Sequence, residues 1–135
     1  MKITDKQAVA RVHYWAKELA LLGVGHFRIE DIEIAEDLME GSSAACVLIS
    51  KDYDRLQFWI DRGFLQDCGI EALDRTLIHE WVHAAMRDYD FVVESIEDQL
   101  APSVADIYSK HASHARENLV DRIATAIQAI HSKSC

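Results

Sequence analysis

The apolar residues of this chain change their spacing twice along its 135 residues, and no other feature limits the fold as strongly. From about Thr4 to Leu22, Ala8, Val12, Trp15, Leu19 and Leu22 recur every three or four positions, with Val9, Ala16 and Ala20 beside them. That spacing is the apolar stripe of an amphipathic helix. Thr4 with Gln7 forms a capping-box pattern at its start, and Gly23 is a suitable stop. The next stretch alternates instead. Phe27 and Ile29 keep one phase, Ile32 and Ile34 the other, so the strand they form needs a bulge or bend near Glu30-Asp31. After a turn-like Glu40-Gly41-Ser42-Ser43, Ala45–Ser50 reads as a buried strand. Across Ser50–Asp52 follows Tyr53–Ile60, with Leu56, Phe58 and Ile60 on one face. Short strands with brief connections predict a small antiparallel meander.

From Gly69 the spacing becomes helical again. Ile70, Leu73, Leu77, Trp81 and Ala84/Ala85 form a stripe that runs to about Asp88. A further helical region spans about Phe91 to Leu100, and Pro102 interrupts it. A short piece from Ser103 to Lys110 follows. The last helix is expected from Ser113, its cap, to about His131, with Ala115, Leu119, Ile123, Ile127 and Ile130 as its apolar side. Helix, then strands, then helices predicts an α+β fold, and residues 1–135 read as one domain.

Half of the residues are apolar and 27% are charged, the balance of a chain that folds. The formal net charge is −9, from 23 acidic and 14 basic residues. The basic residues are scattered singly rather than clustered, which disfavours nucleic acid and anionic membrane surfaces as partners. The longest apolar runs, such as Ala44–Ile49, are too short to span a bilayer, and the N-terminal residues lack a signal-peptide core. Cys46, Cys68 and Cys135 are odd in number and without CxxC spacing, as expected of free thiols in a reducing compartment. A cytoplasmic protein is the expectation.

Inside the second helical stripe lies His79-Glu80-Trp81-Val82-His83, an HExxH sequence. Residues four apart share a helix face, so both imidazoles can converge on one ion. Glu80 is turned by about 100° from His79 and flanks that ion. From there its carboxylate can take a proton from a water whose pKa zinc has lowered to about 7. A shuffled chain of this composition would contain the pattern only about 0.03 times. Two polar imidazoles on a helix otherwise lined by Trp81, Val82 and Ala84 also need partners. A third ligand is not found at the nearest downstream positions, which hold Met86 and Tyr89. Further on, Glu117 and Asp121 are again one helical turn apart. One of them can ligate the metal while the other accepts the outer N–H of a ligand histidine.

HExxH followed by a helical ExxxD resembles the gluzincin group of zinc metallopeptidases. The 33 residues between His83 and Glu117 and the short chain look most like its minimal members and phage-encoded metallopeptidase-like proteins. Trp15-Ala16-Lys17-Glu18-Leu19, ahead of a meander and the HExxH helix, is similar to that group as well. The resemblance implies a zincin-like fold, with a C-terminal helix bringing its carboxylate to the HExxH helix. It implies Zn2+ held by His79, His83 and Glu117, Glu80 as general base, and Asp121 supporting a ligand histidine. The implied activity is hydrolysis of a peptide or protein substrate.

Other candidates are weaker. His114, three residues before Glu117, is a possible oxyanion donor or alternative ligand. Tyr89 and Tyr108 are possible phenolic donors. His111, near His114, is a further runner-up ligand. His13, His26 and His131 carry no motif, Asp88 and Asp90 fall at a helix end and in the turn after it, Trp81 reads as core, and Glu94–Asp98 reads as a solvated face. Two rival functions fit the same residues: a zinc-stabilised binding module without turnover, and a metal-free phage accessory protein.

Overall fold

Thr4 opens the first helix as its capping box requires. Gln7 N–H donates to Thr4 Oγ1 at 3.2 Å, and Thr4 N–H donates to Gln7 Oε1 at 2.9 Å. The computed structural model describes residues 2–21, 28–36, 44–49 and 55–134. Helix α1 spans Asp5–Leu21 and buries Ala8, Val12, Trp15 and Leu19, the expected stripe. The expected features at Gly23, Phe27, His26, Glu40–Ser43, Ser50–Asp52, Tyr53 and Cys135, and the side chain of Cys46, lie outside the described residues.

Three strands follow: β1 (Arg28–Ala35), β2 (Ala45–Ile49) and β3 (Arg55–Asp61). Their order is β1-β3-β2, with β1 parallel and β2 antiparallel to β3. The expected antiparallel meander is therefore corrected to a mixed sheet with the last strand in the middle. Alternation reveals which face a residue takes but not which strand lies beside it. Burial explains the order. Leu56, Phe58 and Ile60 of β3 are fully buried, whereas β1 exposes Arg28, Glu30, Asp31 and Glu33, as a charged edge strand does. The register of β1 on β3 shifts between Ile29 and Asp31. That is the bulge which the change of phase between Ile29 and Ile32 demanded.

Asp61 ends β3 and caps a short helix that the sequence did not announce, α2 (Arg62–Asp67), accepting from Phe64 N–H at 2.8 Å. Helix α3 (Ile70–Ala85) carries the HExxH residues and packs against α1, β2 and α5. It buries Leu73, Leu77, Ile78, Trp81, Val82 and Ala84 together with one carboxylate, Asp74. Asp74 is fully answered. Arg11 grips it with two bonds of 2.8 and 2.7 Å, and the Trp15 indole donates at 2.9 Å, which ties α1 to α3.

Helix α4 (Arg87–Glu97) begins one residue after the end of α3 is capped by Met86, earlier than the expected Phe91. Pro102 does not interrupt a helix; it stands at the first position of α5, where its missing N–H costs nothing. The expected pieces Ser103–Lys110 and Ser113–His131 are one helix, Pro102–Ser134. Lys110-His111-Ala112-Ser113 contains no breaker, so Ser113 lies inside the helix and caps nothing. The buried side of α5 is also turned from the expected one. Val120 and Ala124 are buried with Ile123 and Ile127 against them, while Leu119 and Ile130 are 46% and 62% exposed. Gln128 fastens that side to α3, donating to the Glu71 carbonyl and accepting from Arg75. Among the described residues no helix is long and apolar enough to cross a membrane.

Candidate metal centre

Packing of α5 on α3 brings Glu117 over the HExxH turn. His79 Nε2 and His83 Nε2 lie 3.1 Å apart. Glu117 Oε2 is 3.5 Å from His79 Nε2, and Glu117 Oε1 is 3.2 Å from His83 Nε2. One ligand atom from each residue falls within 4.8 Å of the others. Bonds of about 2.0–2.1 Å in a tetrahedron place neighbouring ligand atoms about 3.3 Å apart. The separation of the two imidazole nitrogens is close to that value, while Glu117 approaches each histidine through a different oxygen, and one oxygen common to both lies within 4.8 Å of them.

The orientation of His79 is set from outside. Its Nδ1 lies 2.9 Å from Asp121 Oδ1, one turn along α5 from Glu117. An N–H at Nδ1 donating to that carboxylate leaves Nε2 with its lone pair toward His83 and Glu117. Both histidines are half-buried, and Glu117 keeps 47% of its side chain in solvent, so the group opens to water on the Glu117 side. Burial pulls His83 below its ordinary pKa, helped by the nearby His79 and Arg116 and opposed by Glu117. Neutral imidazole, the form that binds metal, is thereby favoured.

Glu80, half-buried beside this group, has its carboxyl pushed up to about 7, first by burial and then by the negative charge of Glu117. A proton on Glu80 is thus gained and lost near neutral pH, as acid–base work requires.

Other expected residues are not gathered here. His114 is exposed and contacts Asn118 at 3.3 Å. Three residues fall 60° short of a full helical turn, enough to swing it away from Glu117 and out of the ligand group. His111 and Asp88 are exposed; Tyr89 is exposed and lines a cleft between α4 and α5, and Tyr108 is half-buried on α5. Trp81 is core, packed against Phe58 with ring centroids 5.3 Å apart. One neighbour was not foreseen: Arg116, which binds Asp90 at 3.2 Å and lies 3.8 Å from Glu117 Oε1. Nothing in the sequence signals it, because adjacent helix residues point about 100° apart and Asp90 belongs to another helix.

No protein-family model, curated protein or solved structure matches the chain.

Proposed function

We propose that this protein is a zinc-dependent hydrolase of peptide bonds, related to the small gluzincins that its HExxH and ExxxD residues resemble. The observation that carries the reading is the convergence of His79, His83 and Glu117, with one ligand atom of each within 4.8 Å of the others. Two imidazoles and a carboxylate form a donor set that zinc takes in catalytic sites, where a fourth position stays free. The donors fit the ion in three further respects: His79 has its outer nitrogen paired, His83 is held toward its neutral form, and the Glu117 side is open.

Zinc held by these three residues would supply Lewis acidity, polarising a carbonyl and lowering the pKa of a water to about 7. The chain's own residues do the rest. Glu80 takes the proton of the attacking water and returns it to the leaving amine, a double task suited to a carboxylate half-buried beside the three donors. Asp121 keeps His79 in the tautomer that presents Nε2 inward. The net charge of −9 and the scattered basic residues favour a peptide or protein substrate over nucleic acid or a membrane surface, and with the unpaired cysteine pattern they support a cytoplasmic setting.

The test is metal content together with turnover. Freshly purified protein should hold one zinc per chain and cleave a peptide mixture. Glu80→Gln should keep the zinc and lose cleavage, since the amide cannot accept the proton. Cleavage at the parental rate by Glu80→Gln would refute the mechanism. Stoichiometric zinc with no cleavage of any peptide would favour the rival reading, a binding module in which the ion joins α3 to α5.

A further inference from the structure

A cleft of about 170 Å³ between α4 and α5 takes no part in the chemistry above. Asp90, Glu94 and Glu97 of α4 form one wall, and Ser109, Ser113 and Arg116 of α5 the other. Its size suits one extended side chain. Arg116 makes it the neighbour of the metal centre, reaching Asp90 on one side and Glu117 on the other. The Arg116 Nε is shut off from solvent, so this guanidinium is part of the wall rather than a mobile surface chain.

Charge decides what the cleft accepts. Asp90 neutralises Arg116. Glu94 and Glu97 form no ion pair among the described residues, so two carboxylates face the space unanswered. The hydroxyls of Ser109 and Ser113 can accept from an ammonium or guanidinium head, while Val93 and Ala112 offer contact to its methylene stem. Three carboxylates against one guanidinium disfavour an anionic guest and leave an uncharged one with only the apolar contact.

We propose that this cleft receives a lysine or arginine side chain of the substrate, next to the bond held at the metal centre. The proposal rests on the peptidase reading and sharpens it to a preference for basic peptides. A groove that merely holds water between two helices would show no such preference.

The experiment compares two blocked alanine pentapeptides, one with a central lysine and one with a central norleucine, on the zinc-loaded protein. The lysine peptide should be cleaved with a kcat/KM about five- to tenfold higher, the scale of two partly exposed ion pairs. The ratio should shrink in high salt and fall to about one in Glu94→Gln/Glu97→Gln. Glu94→Lys/Glu97→Lys should disfavour the lysine peptide. In parallel, equilibrium binding of both peptides to zinc-loaded Glu80→Gln should show the same selectivity, lost when Glu94→Gln/Glu97→Gln is added. Selective binding without cleavage by the parent would uphold the cleft and sink the peptidase reading. Cleavage with no lysine preference would do the reverse, and neither binding nor cleavage would overturn both.

Discussion

Two carboxylates near each other, Glu80 and Glu117, set the local chemistry, and one of them makes the fold sensitive to pH. The folded value of Glu80, about 7, lies above its ordinary 4.5, so the folded chain keeps this proton after the unfolded chain has lost it. Stability of the metal-free protein should therefore fall as pH rises from 4.5 to 7, by on the order of 3 kcal/mol, with the full deficit above 7. His83 works the other way, since its folded value lies below 6.5 and its contribution improves with rising pH. Urea unfolding of the parent and of Glu80→Gln at pH 5 and pH 8, both in chelator, separates the two. Glu80→Gln should be the more stable at pH 8 and nearly equal at pH 5; an equal difference at both would show that Glu80 does not keep its proton above its ordinary range. Asp121 calls for a different measurement. Losing the partner of a ligand histidine typically weakens metal binding about 10–100-fold. In a zinc competition titration Asp121→Ala should show that loss, Asp121→Asn a smaller one, and Glu117→Ala the largest. Parental affinity in both Asp121 variants would remove Asp121 from the site.

At the scale of elements, the helices are joined by a few buried polar contacts that can be tested one at a time. Asp74 answers Arg11 and the Trp15 indole at once, inside the contact of α1 with α3. Asp74→Ala leaves a guanidinium and an indole N–H without their acceptor, and should cost about 3–5 kcal/mol in denaturant unfolding. A cost below about 1 kcal/mol would mean that water replaces the carboxylate. The continuity of α5 has its own signature. A helix cap replaced by alanine loses about 1 kcal/mol, whereas an interior serine replaced by alanine gains up to about 0.5 kcal/mol. Ser113→Ala should stabilise or be neutral; a clear loss would restore the break before Ser113.

For the molecule as a whole, the candidate metal centre would act as a clasp between two distant parts of the chain. His79 and His83 come from α3 and Glu117 from α5, so an ion held by all three binds the folded state and not the unfolded one. At a free zinc concentration 100 times the dissociation constant, stability should rise by about 2.7 kcal/mol. Thermal unfolding with zinc and then with excess chelator reads this directly. Glu117→Ala should show a much smaller shift, and an unchanged melting temperature in the parent would mean that the three residues do not act as a site.

What was legible in the sequence is what local spacing encodes. The HExxH pair, the Thr4–Gln7 cap, the buried stripe of α1, the Leu73, Leu77, Trp81 and Ala84 part of that of α3 (its expected ends Ile70 and Ala85 are exposed) and the bulge of β1 each depend on residues within a turn or a pleat of one another. Glu117 and Asp121 were legible as a pair, again because they are one turn apart. Tertiary structure alone decided the rest. Alternation could not say that β3 lies between β1 and β2, because neighbouring strands are chosen by burial and connection, not by period. Periodicity in α5 suggested Leu119 and Ile130 for the core, but a long helix touches the body along only part of its length, and the contact with α3 selected Val120 and Ala124. Arg116 and Asp90 meet only because α4 folds back beside α5, a contact between residues 26 positions apart that no local pattern records. The sequence by itself thus determined which side chains can act together within an element. Which elements meet, and so which carboxylate faces the two histidines, was decided by long-range packing, whose energy depends on surfaces that exist only once the chain has folded.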